Sequence, residues 1–207
     1  MKRLIVLVHG FNKNQHDMRF IEASFKNVGF EVVNPKLPTR FSSLEKCIEV
    51  LNRKIGNLLK NYEEVNFVAH SMGGLIIRGF LARYPQKNIG NSVFIATPHH
   101  GSLQSEILSK IPFTSSVWKP LKDLSTDLKY EPLNGVALGV IAGNSNSLFW
   151  GRVILSKESD GRVEVESAKS DDMAGFIIMP YNHKKIHFQK ETFDKVLNFI
   201  KSGKFQP

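Results

Sequence analysis

Val65-Asn66-Phe67-Val68-Ala69-His70-Ser71-Met72-Gly73-Gly74-Leu75-Ile76-Ile77 is a strand pattern that runs into a helix pattern with almost no spacer. Val65–Ala69 reads as a buried strand, and Gly73–Tyr84 as a helix closed by Pro85. Between them, Ala69-His70-Ser71-Met72-Gly73 is a small-x-Ser-x-Gly turn with Ala in the first glycine position. A turn this sharp strains the serine backbone and brings its neighbours close, so both flanks must be small. The helix start then places its dipole and unsatisfied N–H groups beneath the serine oxygen. Small-x-Ser-x-Gly alone is common. Bracketed by strand and helix, it marks Ser71 as a candidate nucleophile.

Outward from this unit the chain keeps alternating. Leu4-Ile5-Val6-Leu7-Val8 is a continuous apolar run, as expected of a strand covered on both faces. Asp17–Val28 carries Phe20, Ile21, Phe25 and Val28 at helical spacing and stops at Gly29. Phe30–Val33 is strand-like, and Leu44, Cys47, Ile48, Leu51, Ile55, Leu58 and Leu59 form a helical stripe. Ser42 with Glu45 gives that helix a capping box, and Cys47, lying on the stripe, reads as core. Ser92–Ala96, Val136–Ala142 and Phe176–Met179 are further strands, and Phe193, Val196, Leu197 and Ile200 mark a last helix before Gly203. This order implies an α/β fold, a mostly parallel sheet with helices on both faces. Ligands of such sheets bind at the carboxyl ends of the strands.

Composition narrows the possibilities. The 207 residues are 42% hydrophobic and 23% charged, which fits one globular domain over residues 1–207. A single cysteine excludes an internal disulfide and any multi-cysteine zinc site. No apolar run approaches the ~20 residues of a membrane span. Leu4–Val8 is also shorter than the ~7–15 residues of a signal-peptide core, so the expected location is cytoplasmic. The formal charge is +9, and most of the excess is spread along the first half without a block of like charge. It allows weak contact with a lipid surface, but no basic motif interleaved with aromatics supports nucleic-acid binding.

Other residues collect at the same strand ends. Gly10 in His9-Gly10-Phe11 lets the chain turn so that the Phe11 N–H faces the serine. Its partner donor would be the N–H of Met72, the two forming an oxyanion hole. His9 belongs to the turn and reads as a supporting hydrogen-bond group rather than a base. An acid in the order Ser, acid, His has Asp123, Asp127, Asp160, Asp171 and Asp172 as candidates. Asp160 is favoured because Gly161 permits a tight turn that aims the carboxylate inward, with Asp171-Asp172 as runner-up. Two histidines follow the last strand. His183 lies in the loop leaving its carboxyl edge, whereas His187, between Ile186 and Phe188, suits a packed structural position. His183 is the favoured base. Adjacent His99 and His100 point in opposite directions on an extended chain with no carboxylate nearby in sequence, so no metal site is expected.

These segments together resemble the α/β-hydrolases of the small serine lipase and esterase group. The matching elements are Leu7-Val8-His9-Gly10-Phe11, Ala69-His70-Ser71-Met72-Gly73-Gly74 and Ala96-Thr97-Pro98-His99-His100-Gly101-Ser102, in that order. The shortest bacterial lipases likewise carry Ala at the first elbow position. The resemblance implies a minimal α/β-hydrolase that cleaves a small acyl ester through an acyl-serine intermediate, with no cofactor. It also implies that Asp160, in an Asp-Gly-x-Val segment, is the acid, that His183 is the base, and that the Thr-Pro-His-His-Gly-Ser stretch lines the cleft floor. A thioesterase or amidase would use the same residues, and a silent homologue would bind an acyl ligand or a partner without turnover.

Residues 103–134 carry Ile107, Ile111, Phe113, Trp118 and Leu121, too apolar for a plain surface loop. The segment is a candidate lid or acyl-binding wall, with Phe113 and Trp118 as candidate acyl contacts, or else a helix packed on the sheet. If it binds the acyl group, Trp118→Ala changes the ratio of rates on short- and medium-chain esters more than it changes Tm. A change in Tm alone would identify the segment as packing.

Overall fold

The computed structural model describes residues 2–101, 133, 136–146 and 158–206. Six strands, β1 (Arg3–Val8), β2 (Glu31–Val33), β3 (Glu64–His70), β4 (Ser92–Ile95), β5 (Leu138–Gly143) and β6 (Met173–Met179), form one sheet. Their order is β2-β1-β3-β4-β5-β6, and every pairing is parallel. The helices are α1 (Arg19–Asn27), α2 (Leu44–Ile55), α3 (Met72–Arg83), the short α4 (Val165–Ala168) and α5 (Lys190–Ser202).

Strand periodicity sorts the core into two layers. Leu4, Val6 and Val8 of β1, with Phe67 and Ala69 of β3, pack under α2 and α3 beside Leu51, Ile55, Ile76 and Phe80. Ile5 and Leu7, with Val68, Val93 and Ile95, face the opposite way onto Ile21 and Phe25 of α1 and Val196, Phe199 and Ile200 of α5. Alternate side chains of one strand thus serve opposite faces, which is why β1 reads as an unbroken apolar run. Cys47 is buried in the α2 layer.

Several element boundaries differ from the sequence reading. The cap of α2 is Ser43, not Ser42: its hydroxyl accepts from the Lys46 N–H at 3.3 Å. Starting there makes Leu44 the first helical residue and buries it, while Glu45 turns outward to pair with Arg83. The helix ends at Ile55, and Leu59 reaches the core from a 3-10 turn instead. The first helix likewise begins as a 3-10 turn, Gln15–Met18, with Asn14 capping the His16 N–H. β5 starts at Leu138 and β6 at Met173, respectively later and earlier than the apolar runs suggest.

A charged cluster ties α3 to the start of β6. Arg78 is 3% exposed and reaches Asp172 Oδ2 at 2.9 Å, Ser170 Oγ at 2.6 Å and His99 Nδ1 at 3.2 Å. Asp172, a runner-up acid, is therefore committed to Arg78 and to the Leu133 N–H at 2.8 Å. Burial alone would raise its pKa, but the hydrogen bonds from Arg78, Ser170 and Leu133 outweigh this and hold it well below the usual carboxylate range. Burial, then the Arg78 guanidinium, pushes His99 down to about 3, so it stays neutral and accepts from Arg78.

Both groups make the fold less stable in acid than at neutral pH. Below about 6.5 the unfolded chain takes up a proton at His99 that the native state refuses until about 3. Asp172 stabilises above the ordinary carboxylate range, and its share fades as pH falls toward its depressed native value. His99→Gln should therefore flatten the fall of Tm between about pH 6.5 and 3. Asp172→Asn leaves Arg78 buried without its counter-ion and should cost about 3 kcal/mol in urea unfolding at neutral pH. An Asp172→Asn variant as stable as wild type would show the cluster to be dispensable.

Candidate active site

The sheet reverses its direction of growth at β1: the chain moves outward to β2, then returns past β1 to β3. The loops leaving β1 and β3 therefore open a crevice between them, where such sheets bind ligands. Ser71 lies there, partly exposed, between β3 and α3. Its backbone has φ 56° and ψ −130°, a strained conformation for a residue with a side chain. The Ser71 N–H donates to Ile95 O at 2.8 Å, and its carbonyl accepts from Thr97 Oγ1 at 2.9 Å and the Gly74 N–H at 3.1 Å. Thr97 comes from the Thr-Pro-His-His stretch, so that segment buttresses the turn.

Close approach explains the glycines. A Cβ on Gly73 would overlap the Val8 carbonyl oxygen, and one on Gly10 would lie 2.9 Å from Ser71 Cβ and 3.3 Å from His70 O. Phe11 follows Gly10 at the end of β1, and Met72 opens α3, whose first N–H groups have no acceptor within the helix. His9 is fully buried. The Leu37 N–H donates to its Nε2 at 3.1 Å and its Nδ1 faces Gly10 O at 3.1 Å, a supporting role in the turn.

Asp160 and His183 converge on Ser71 from the other side. Gly161 has φ 90°, and the turn it allows folds the Arg162 and Val163 N–H groups onto Asp160 Oδ1 at 2.9 and 2.8 Å. The other oxygen, Oδ2, lies 2.7 Å from His183 Nδ1. His183 Nε2 lies 3.0 Å from Ser71 Oγ. With Nδ1–H donating to the carboxylate, Nε2 carries the lone pair and accepts from the serine hydroxyl. The His183 main chain is held at both ends: its N–H donates to Asp160 O at 3.0 Å, and its carbonyl accepts from His70 Nε2 at 3.0 Å.

His187 is buried away from Ser71, its ring stacked on His70 at 3.8 Å. Its Nε2 lies 3.4 Å from Asp17 Oδ2, which His70 Nδ1 approaches at 3.5 Å. Burial is the main cause that lowers the pKa of both rings, most of all at His70. Sequence reasoning missed the roles of Asp17 and His70; the only hint was a histidine directly before the elbow serine. Phe113, Trp118 and the 103–134 segment lie outside the described residues, apart from Leu133.

Sheet and crevice together are those of an α/β-hydrolase. The chain belongs to the family described as "Putative serine esterase (DUF676)", whose model matches residues 1–130. No curated protein matches it. Among solved structures it is similar to the mature form of Bacillus licheniformis lipase BlEst2, with TM-score 0.82 and 20% identity, covering 96% of this chain and 92% of that one. It is also similar to the metagenomic carboxyl esterase MGS0156, with TM-score 0.71 and 16% identity, covering 88% and 64% of the two chains. Legionella pneumophila phospholipase PlaB matches with TM-score 0.64 and 15% identity over 97% and 63%. The protein is a serine hydrolase of the esterase type. Among the described residues, no helix is long and apolar enough to cross a membrane.

The contact between Gly10 and Ser71 is directly testable. Gly10→Ala forces the β1 loop and the serine apart, and displacements of this size cost reactivity steeply. Fluorophosphonate labelling of the variant should slow at least about tenfold while far-UV circular dichroism is unchanged. Labelling at the wild-type rate would show that the loop can yield without moving the serine.

Proposed function

We propose that the protein is a carboxylester hydrolase in which Ser71 is the nucleophile, His183 the base and Asp160 the carboxylate that orients it. The observation that carries this reading is the unbroken chain Ser71 Oγ–His183 Nε2 at 3.0 Å and His183 Nδ1–Asp160 Oδ2 at 2.7 Å, ending at a serine in strained backbone. Ser71 Oγ attacks the ester carbonyl carbon as its proton passes to His183 Nε2. Asp160 holds the imidazole in the required tautomer and stabilises the imidazolium. The oxyanion accepts from the N–H groups of Phe11 and Met72. Collapse of the tetrahedral intermediate expels the alcohol, which takes the proton from His183 and leaves an acyl-serine. Water, deprotonated by the same imidazole, releases the acid and restores Ser71.

The substrate in this reading is a small acyl ester. Support comes from the family's description and from neighbours named lipase, carboxyl esterase and phospholipase. Residues 103–134 remain the proposed acyl-binding or lid segment, and the surface charge of +9 suits weak contact with anionic lipid.

Ser71→Ala should lower kcat on a p-nitrophenyl ester by at least ~10³-fold with the fold retained. His183→Ala should fall by a similar factor. His187→Ala should keep turnover far above that level and lose mainly Tm. Wild-type turnover by Ser71→Ala would remove the serine mechanism. Strong loss in His187→Ala with retention in His183→Ala would reassign the base.

A further inference from the structure

Behind the Ser71 crevice, three side chains from distant parts of the sequence meet in the interior. Asp17 closes the 3-10 turn before α1, His70 ends β3, and His187 sits in the 3-10 turn before α5. His70 and His187 are 2% and 1% exposed, and Asp17 is nearly as enclosed. One atom of each converges on the others: Asp17 Oδ2, His70 Nδ1 and His187 Nε2 all lie within 4.8 Å of one another. None of the three has a hydrogen-bond partner, an unusual concentration of orphaned buried polar atoms.

The remaining atoms of the cluster explain the mismatch. Asp17 spends Oδ1 on Lys13 Nζ at 3.1 Å, leaving Oδ2 turned to the two imidazoles. His70 spends its ring proton at Nε2 on the His183 carbonyl, 3.0 Å away. A neutral His70 that donates there has a bare lone pair at Nδ1, and that lone pair faces a carboxylate oxygen at 3.5 Å. Two acceptors do not face each other in a dry interior unless a proton or a metal ion lies between them.

We propose that Asp17 Oδ2, His70 Nδ1 and His187 Nε2 bind a divalent transition-metal ion of the zinc class. The donor set, two imidazoles and one carboxylate, is that of many three-ligand zinc sites, with water in the fourth position. Ligands at 2.0–2.2 Å around a tetrahedral ion lie about 3.4 Å apart. The contacts of Asp17 Oδ2 with His187 and His70, at 3.4 and 3.5 Å, match that edge. Metal-bound histidines usually donate their other ring N–H to a carbonyl or carboxylate, as His70 does to His183. Coordination tilts the two rings out of their 28° stack so that both lone pairs reach one centre. The ion touches no substrate. It fixes His70, and through the His183 carbonyl it fixes the loop that carries the proposed base. The site does not depend on the ester-hydrolase reading.

The test uses the full chain, stripped with a chelator, dialysed and titrated with Zn²⁺ alone by calorimetry. A parallel titration with Co²⁺ is followed by visible spectroscopy. We expect one equivalent of Zn²⁺ with a rise in Tm, and Co²⁺ bands of four-coordinate strength. Asp17→Asn and His187→Gln should each weaken Zn²⁺ binding by more than about 100-fold. Circular dichroism checks that both variants fold; if they do not, His16→Gln should bind Zn²⁺ as the wild type does, and loss of binding in it would overturn the interior site. Failure of the wild type to take up one equivalent would overturn the site and leave a cluster that holds only a proton. Unchanged binding in folded Asp17→Asn and His187→Gln would overturn it as well, placing the ion on surface histidines such as His16. Fluorophosphonate labelling of Ser71 in the same samples reports on the serine mechanism separately, so either reading can fail alone.

Discussion

Helix α3 begins in contact with the main chain of β1, and the candidate site depends on that contact. A side chain at Gly73 would overlap the Val8 carbonyl, so only glycine lets the helix start so close to the neighbouring strand. The short path from β3 to α3 then leaves Ser71 as the one residue spanning it, with φ 56°. Strain of this kind costs on the order of 1–3 kcal/mol and persists only where the surroundings over-determine it. Here they do. Ile95 O, Thr97 Oγ1 and the Gly74 N–H hold the serine main chain, while β3 and α3 are buried on both faces. The serine oxygen is thus presented at the crevice by core packing rather than by a loop.

Asp160 and His183 come from loops, and polar contacts give them rigidity comparable to that of Ser71. Asp160 is 2% exposed, yet its carboxylate is satisfied by two backbone N–H groups on one oxygen and by His183 on the other. A buried carboxylate without such partners would have to protonate. The His183 loop is anchored to Asp160 through its N–H and to His70 through its carbonyl. His70 adjoins Ser71 in the chain, so the elbow strand itself fixes the distance between serine and imidazole. The Arg78 cluster acts on a second flank by locking α3 against the strand that leads into the His183 loop.

Much of this was legible in the sequence because its causes are local. Strand–helix alternation, the small residues around Ser71 and the Asp160-Gly161 turn are short-range patterns, and each coincides with an observed element. Boundaries were less legible where competing signals lie one residue apart. Ser42 and Ser43 are both plausible caps, and burial of Leu44 selects the second. The start of β6 was hidden because Ala174 and Gly175 are poor strand formers. Gly175 pairs with Gly139 of β5, where added side chains would press on Phe199 and Phe205. That requirement comes from a helix and a tail far along the chain. The meeting of Asp17, His70 and His187 was invisible for the same reason, since 53 and 117 residues separate its members and no spacing rule joins them.

The seven histidines show how tertiary contacts sort one residue type into different tasks. A base for Ser71 needs one lone pair aimed at the hydroxyl and an opposite N–H anchored by a carboxylate. His9 cannot serve, because the Leu37 N–H occupies Nε2 and Nδ1 faces Gly10 O. His99 accepts from Arg78, and beside that guanidinium an imidazolium would be strongly disfavoured. His70 and His187 turn toward Asp17 rather than toward the serine. His183 differs in having a carboxylate at one nitrogen and the Ser71 hydroxyl at the other. Burial lowers the pKa of the other interior histidines, and the same packing that fixes them holds His183 between the Asp160 carboxylate and the Ser71 hydroxyl.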